Sequence, residues 1–394
     1  MRILVCSVSS ALGDMERRIE AETRLLTQLG HEVLVATTRF PELERWKSDI
    51  GDAGGRYVDW RPYKFVERQH FAAPFRWLAL ATLPALRRER IDLAHIAMPW
   101  NFIGLSMAYV LSWANIPFVV GIHGKFGSQA FPARELPVLI QAMSGLVGGY
   151  AVSSPAYDNF MRLYSGLLPQ STRMETIQNG IDIGHFRPDV SARLRLRQSL
   201  GFEDSHFVVI YCGRIDSIKR PIFALRVFAQ FISKCPKGQL LIVGDGPEMA
   251  ALKSEMKSLG IQGSVTLTGQ VPNTAPYYAA SDCYLSTSTN QEACPLAVAE
   301  ALASGLPAVV PDDDTFRSVY GASNSVRRCD PSDLVSWDNA LLSVALLDAG
   351  SKCLLSREAQ EFAKTHLATE IMNQGLTSFY QKVFSRLGSA QQPS

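Results

Sequence analysis

The stretch NQEACPLAVAEALASGLPAVV, Asn290 to Val310, is almost wholly apolar yet carries two glutamates eight residues apart, Glu292 and Glu300. A carboxylate in apolar surroundings is costly unless a partner or ligand meets it. Pro295 stands where a helix should begin, since the first turn has no carbonyl for the N–H that proline lacks. Glu292 then lies in the loop before the helix and Glu300 about one to two turns inside it. The N–H groups of Leu296 and Ala297 would point out of the helix start, an anion site at the carboxyl end of a strand. A negative ligand there would sit between the carboxylates, so the glutamates are expected to hold neutral hydroxyls flanking a phosphate. The plainer alternative is a surface helix with two solvated glutamates.

A second group of charges lies in YCGRIDSIKRP, Tyr211 to Pro221, where Arg214, Lys219 and Arg220 follow a strand and precede a helix. Cations at a strand's carboxyl end can neutralise a pyrophosphate and stabilise it as a leaving group; surface charge flanking a helix is the alternative. IVGDGPEM has glycines at Gly244 and Gly246 but Met249 at the place of a third, so the dinucleotide fingerprint is incomplete and a nicotinamide oxidoreductase is a secondary reading. Those glycines fit a tight turn close to the ligand. Asp312, Asp313 and Asp314 superficially match a metal-binding pattern, but aspartates after a strand more often start a helix, and no metal is expected. In the N-terminal half, His123 follows a strand, and Gly13 with Glu16 occupies the first strand-to-helix turn.

These residues need a scaffold that brings strand ends together. Short β-rich runs alternate with helical patterns from the start: RILVCSV, a helix near Met15 to Leu29, then HEVLVATT, which together form a parallel βαβ unit. LAHIAM, PFVVGIHG, YAVSS and METIQNGI continue the series, and it restarts at FVVIYCGR with QLLIVGDG, SVTLTGQ, CYLSTS and PAVVPD. The expected fold is α/β, two Rossmann-like doubly wound domains facing across a cleft. Their expected bounds are 1–188 and 189–370, with a terminal helix and tail at 371–394; packing back onto the N-terminal domain is one option for that helix. The polar segment from Gly184 to Ser205 is the expected linker.

Composition narrows the class. The 394 residues exceed what one core usually serves, which favours two domains. Hydrophobic content of 47% and charged content of 19% are those of a soluble globular chain, and a net charge of +2 gives no global reason to expect nucleic acid. The seven cysteines are scattered and never form a C-x-x-C pair, so neither a disulfide framework nor a zinc site is expected. With no convincing signal-peptide pattern and no apolar run of about 18 residues, a cytoplasmic location is expected.

Taken in order, GHEVLVATT, IHG, IQNGIDIGHFRP, YCGRIDSIKRP, LLIVGDGPE, VTLTGQV and EACPLAVAEALASGLPAVV resemble the retaining GT-B glycosyltransferases of glycosyltransferase family 4, across most of the chain. The resemblance implies a nucleotide-diphosphate sugar as donor, with uridine as the prior, and no resident cofactor or metal. It implies that Glu300 binds the donor's ribose diol and Glu292 the sugar hydroxyls. Arg214 and Lys219, with the N–H groups of Leu296 and Ala297, would bind the diphosphate. Gly269, Gln270 and Val271 would line the base, Gly13 would approach the phosphates, and His123 would sit near sugar and acceptor. Gly244, Ala293, Cys294 and Pro295 complete the expected donor site. Departures from the family pattern are Leu12-Gly13-Asp14 in place of two glycines, Ala293 and Cys294 in place of a glycine and an aromatic, and Asp312 to Phe316 in place of a glycine-rich loop. The expected acceptor is a saccharide, a lipid-linked sugar or a small molecule. FAAPFRWLALATLPALRRER, with Trp77, Arg76, Arg87, Arg88 and Arg90, reads either as a patch resting on an anionic membrane or as a core-facing helix with a solvated basic end. A GT-B-fold sugar-nucleotide epimerase and a non-catalytic sugar-nucleotide-binding protein are the alternatives.

Overall fold

The computed structural model describes residues 1–59, 80–100, 103–125, 131–288 and 292–389. The chain forms two units: Met1–Asn179 together with Met372–Ser394, and Gly180–Ile371. The first unit therefore ends before the expected boundary at residue 188, and the last stretch of chain is part of it.

The first unit is built on a seven-stranded sheet in the order β3-β2-β1-β4-β5-β6-β7. The strands are β1 (Arg2–Ser7), β2 (Glu32–Ala36), β3 (Arg56–Tyr57), β4 (Leu93–Met98), β5 (Phe118–Ile122), β6 (Leu146–Ala151) and β7 (Arg173–Thr176). All pairings are parallel. β4 is buried at every position and β5 likewise, as strands covered on both faces must be. The two-residue β3 was not expected, since so short an edge strand carries no alternation to read. The core gathers Ile19, Leu26, Trp46 and Tyr150 with Leu376, Phe379, Tyr380 and Val383 of the Thr369–Ser389 helix. Those last four recur at helical spacing, so one apolar stripe seats the helix on this unit.

The second unit carries a six-stranded parallel sheet in the order β10-β9-β8-β11-β12-β13. Its strands are β8 (Phe207–Cys212), β9 (Gly238–Val243), β10 (Val265–Gly269), β11 (Cys283–Leu285), β12 (Ala308–Pro311) and β13 (Val326–Cys329). Its core centres on Phe228, Phe231, Leu240 and Trp337. The strand order reverses between β8 and β11, and at such a reversal the following loops diverge and leave a crevice at the carboxyl ends.

The expected linker is in fact a helix, Val190–Leu200. Asp189 caps it through Ala192 N–H at 2.8 Å, and Gly201 closes it in the left-handed region at φ 73°. Arg193 and Arg197 do not stand in solvent: both reach Asp282, at 2.7 and 3.3 Å. Arg197 also donates to the Glu203 and His206 carbonyls at 2.6 and 2.8 Å. A basic, polar run reads as solvated chain, and the distant Asp282 with neighbouring carbonyls makes it a docking helix.

Candidate functional site

Arg214 and Lys219 lie in the loop between β8 and the Pro221–Lys234 helix, and Asp216 organises that loop. One Asp216 oxygen accepts the Ile218 and Lys219 N–H groups, both at 3.1 Å; the other accepts Arg214 Nε at 2.7 Å. The Lys219 carbonyl accepts from Thr287 Oγ1 at 3.0 Å and from Tyr211 Oη at 3.3 Å. Arg220, in the left-handed region at φ 51°, donates to the Pro331 carbonyl at 3.2 Å and lies over the Phe223 ring. It serves the loop's anchorage, whereas Arg214 stays exposed.

The loop after β11 supplies the carboxylate that meets this cationic loop. Glu292 forms an ion pair with Lys219, and its carbonyl accepts from Thr315 Oγ1 at 2.8 Å. Ala293 and Cys294 are buried beside it. Pro295 is the residue before the Leu296–Ala303 helix rather than its first, and its carbonyl accepts from Tyr320 Oη at 2.8 Å. Among the described residues no side chain caps that helix. The N–H groups of Leu296 and Ala297, which no intrahelical carbonyl can reach, therefore face outward at the positive end of the helix.

Glu300, 7% exposed, accepts from Tyr278 Oη at 2.9 Å. Tyr278 packs on Tyr284, whose hydroxyl donates to the Cys212 carbonyl at the end of β8. Burial pushes the Tyr284 phenol far above its ordinary value, and the charges of Glu292 and Glu300 add to the shift. Both glutamates thus converge on one crevice, between the ends of β8 and β11.

Gly244 sits at φ 137°, and a Cβ there would stand 2.0 Å from the Gly213 carbonyl oxygen. A Cβ on Gly246 would stand 2.4 Å from the Ile215 carbonyl oxygen. Both glycines admit the Arg214 loop onto the loop after β9, which Ile215 N–H to Asp245 O at 3.0 Å secures. Gly244 N–H in turn reaches the Gly269 carbonyl at 2.9 Å. Gly269 takes the left-handed conformation at φ 70°, followed by exposed Gln270 and half-buried Val271. The dinucleotide reading of these glycines loses its basis, because close packing of two loops accounts for them.

Asp312 binds Arg317 through two contacts of 2.7 Å, while Asp313 caps the Asp314–Tyr320 helix through Thr315 and Phe316 N–H. Among the described residues no group of three or more histidines, cysteines or carboxylates is arranged to hold a metal.

The two remaining expected residues lie in the first unit. Gly13 precedes the Asp14–Gln28 helix in extended conformation, and its N–H donates to Glu16 Oε2 at 2.9 Å. That N–H is engaged within its own turn. His123 follows β5; neither ring nitrogen has a hydrogen-bond partner among the described residues, and the ring meets Tyr150 edge-on at 6.2 Å. Burial, with Arg18 and His95 nearby, holds the imidazole well below its ordinary 6.5, so it is neutral. Beneath it Glu22, fully buried, accepts from Tyr150 Oη at 2.9 Å and from Tyr380 Oη, and His95 Nδ1 lies 3.3 Å away.

Sequence reading missed Asp216, Tyr278, Thr287 and Thr315. An aspartate two residues before a pair of loop N–H groups is a recognisable turn signal. The other three act over long sequence separations and leave no local trace.

The family model described as "Glycosyl transferases group 1" matches residues 192–341, and that described as "Glycosyltransferase Family 4" matches residues 15–185. Among curated relatives, an alpha-monoglucosyldiacylglycerol synthase of Streptococcus pneumoniae is 26% identical over 297 residues, 72% of this chain and 64% of that protein's own length. One from Acholeplasma laidlawii is 24% identical over 334 residues, 79% of this chain and 78% of that protein. Among solved structures, Anabaena HepE in complex with UDP superposes with a TM-score of 0.78 at 19% identity, covering 97% of this chain and 100% of that one. With the two family models spanning both Rossmann-like units, the chain belongs to the GT-B glycosyltransferases of glycosyltransferase family 4.

Proposed function

We propose that the protein is a retaining glycosyltransferase that moves a hexose from a UDP-sugar to an acceptor hydroxyl. The observation that carries this reading is the meeting of Lys219 and Glu292 beside the start of the Leu296–Ala303 helix, at the strand-order reversal of the second sheet. A diphosphate finds there a lysine, the exposed Arg214 and outward N–H groups; a sugar finds a carboxylate that accepts from its hydroxyls. Glu300, held by Tyr278, takes the ribose diol.

In the reaction the anomeric carbon's bond to the diphosphate breaks and a bond to the acceptor oxygen forms on the same face. The acceptor proton passes to the departing phosphate oxygen. Arg214, Lys219 and the helix start stabilise the charge that develops there, the largest catalytic contribution in such a site. These groups carry that charge without a metal ion. The first unit receives the acceptor, with the neutral His123 on the acceptor side.

The uridine assignment is supported by the UDP complex of HepE, and hexosyl transfer with a lipid acceptor by the names of the two synthases. Among the described residues no helix is long and apolar enough to cross a membrane. Residues 71–79 of the segment expected to rest on a membrane lie outside the described residues; the remainder includes the Leu83–Glu89 helix, with Arg87 and Arg88 exposed and Leu86 buried.

Calorimetric titration of UDP, GDP and ADP without divalent cation tests the reading. UDP should bind most tightly, and Lys219→Ala should weaken it by about tenfold or more, the worth of a charge-assisted contact. If none of the three binds, the diphosphate assignment fails. An isomerised donor recovered after incubation without acceptor would replace the transferase by an epimerase.

A further inference from the structure

Lys219 and Glu292 are paired in this structure, and both side chains are shielded, at 26% and 12% exposure. A shielded pair is screened far less by salt than a surface pair. Their backbones are fixed as well: Lys219 N–H by Asp216, its carbonyl by Thr287, and the Glu292 carbonyl by Thr315. Ammonium and carboxylate thus face each other on fixed backbones.

We propose that the Lys219–Glu292 ion pair makes the site discriminate in favour of the sugar-bearing nucleotide and against the spent nucleoside diphosphate. This rests on the diphosphate reading of Lys219 given above. A bare diphosphate has to draw Lys219 away from Glu292, leaving a shielded carboxylate without its cation. A sugar nucleotide draws the lysine away in the same manner but brings hydroxyl donors to Glu292. Once the sugar has moved to the acceptor those donors are gone, and the pair re-forms at the expense of the product diphosphate. Glu292 thereby opposes product binding while supporting substrate binding, and it speeds release of the product.

The test is a double-mutant cycle on the full chain, read by metal-free calorimetry with whichever of UDP, GDP and ADP binds most tightly. Glu292→Gln should tighten that nucleoside diphosphate by about five- to tenfold, the size expected when one charge-assisted hydrogen bond no longer competes. Glu292→Ala removes the same charge and should act in the same direction, which keeps the test open if one variant folds poorly. In the Lys219→Ala background the gain should shrink to less than about twofold, since the lysine is then absent from both states. An unchanged or weakened affinity in both glutamate variants, with Lys219→Ala still weakening binding, overturns the discriminator and leaves the diphosphate reading standing. A full gain that survives in the Lys219→Ala background means plain anion repulsion and overturns the role of the pair. No effect of Lys219→Ala, or no binding of any of the three nucleotides, overturns both.

Discussion

The glutamates divide their labour by environment. Glu292 is matched with a lysine, whereas Glu300 is held by a phenol: Tyr278 donates to one oxygen and is itself fully buried. Tyr278 thereby fixes the orientation of the Glu300 carboxylate, which on the proposed reading serves a ribose diol rather than a reaction centre. Tyr278→Phe is therefore expected to raise the donor KM by about five- to tenfold with kcat nearly unchanged, as steady-state kinetics would show. An equal fall in kcat and kcat/KM would instead place Glu300 in the transition state. Glu292, Glu300, Arg214 and Lys219 could be singled out as candidates from the sequence, because charge inside apolar runs and cations after a strand are local signals. Tyr278 was not, since its partner is 22 residues away. His123 was legible as a position only; its neutrality comes from Arg18, His95 and burial, which no spacing reveals.

At the scale of elements, the site is a set of loops knitted at strand ends. Gly244 joins the loops after β8, β9 and β10, with the Gly213 carbonyl packed where its side chain would be. Gly244→Ala should accordingly destabilise the second unit by about 3 kcal/mol or more and abolish donor binding, because backbone rather than a flexible side chain must move. Gly260 provides the comparison: it also has positive φ, at 68°, but a Cβ there meets nothing within 4 Å. Gly260→Ala should cost only about 1 kcal/mol, from backbone conformation alone, and urea unfolding separates the two. The central strands could be read directly, since parallel strands buried on both faces are continuous apolar runs. The Val190–Leu200 helix could not, because Arg197 is buried on it and Arg193 half-buried, each held by Asp282 and by carbonyls that the sequence does not place beside them.

At the scale of the molecule, the first unit contains buried and half-buried titratable groups with opposing effects. His95 and His123 titrate below 6.5 in the folded chain. The unfolded chain takes up those protons first, so their stabilising contribution is full above pH 6.5 and is lost as pH falls below it. Glu20 is pushed up to about 7 by burial and by Asp49, so its contribution is full below the ordinary 4.5 and is lost as pH rises through 7. The overall stability profile should be flat where the two oppose, but single variants separate them. Between pH 6.5 and 5 the wild type should lose stability relative to His123→Asn and gain it relative to Glu20→Gln, measured by denaturant unfolding at each pH. The same sign for both variants would contradict the burial argument. The sequence by itself determined two α/β units, the positions of their main strands along the chain and the charges that could grip a diphosphate, because apolar periodicity and residue chemistry are local properties. Tertiary structure alone decided that the chain returns its last helix to the first unit, that Tyr380 and Tyr150 share the Glu22 carboxylate there, and that Lys219 and Glu292 face each other. Those pairings join segments tens to hundreds of residues apart, and only the packed sheets bring them within reach.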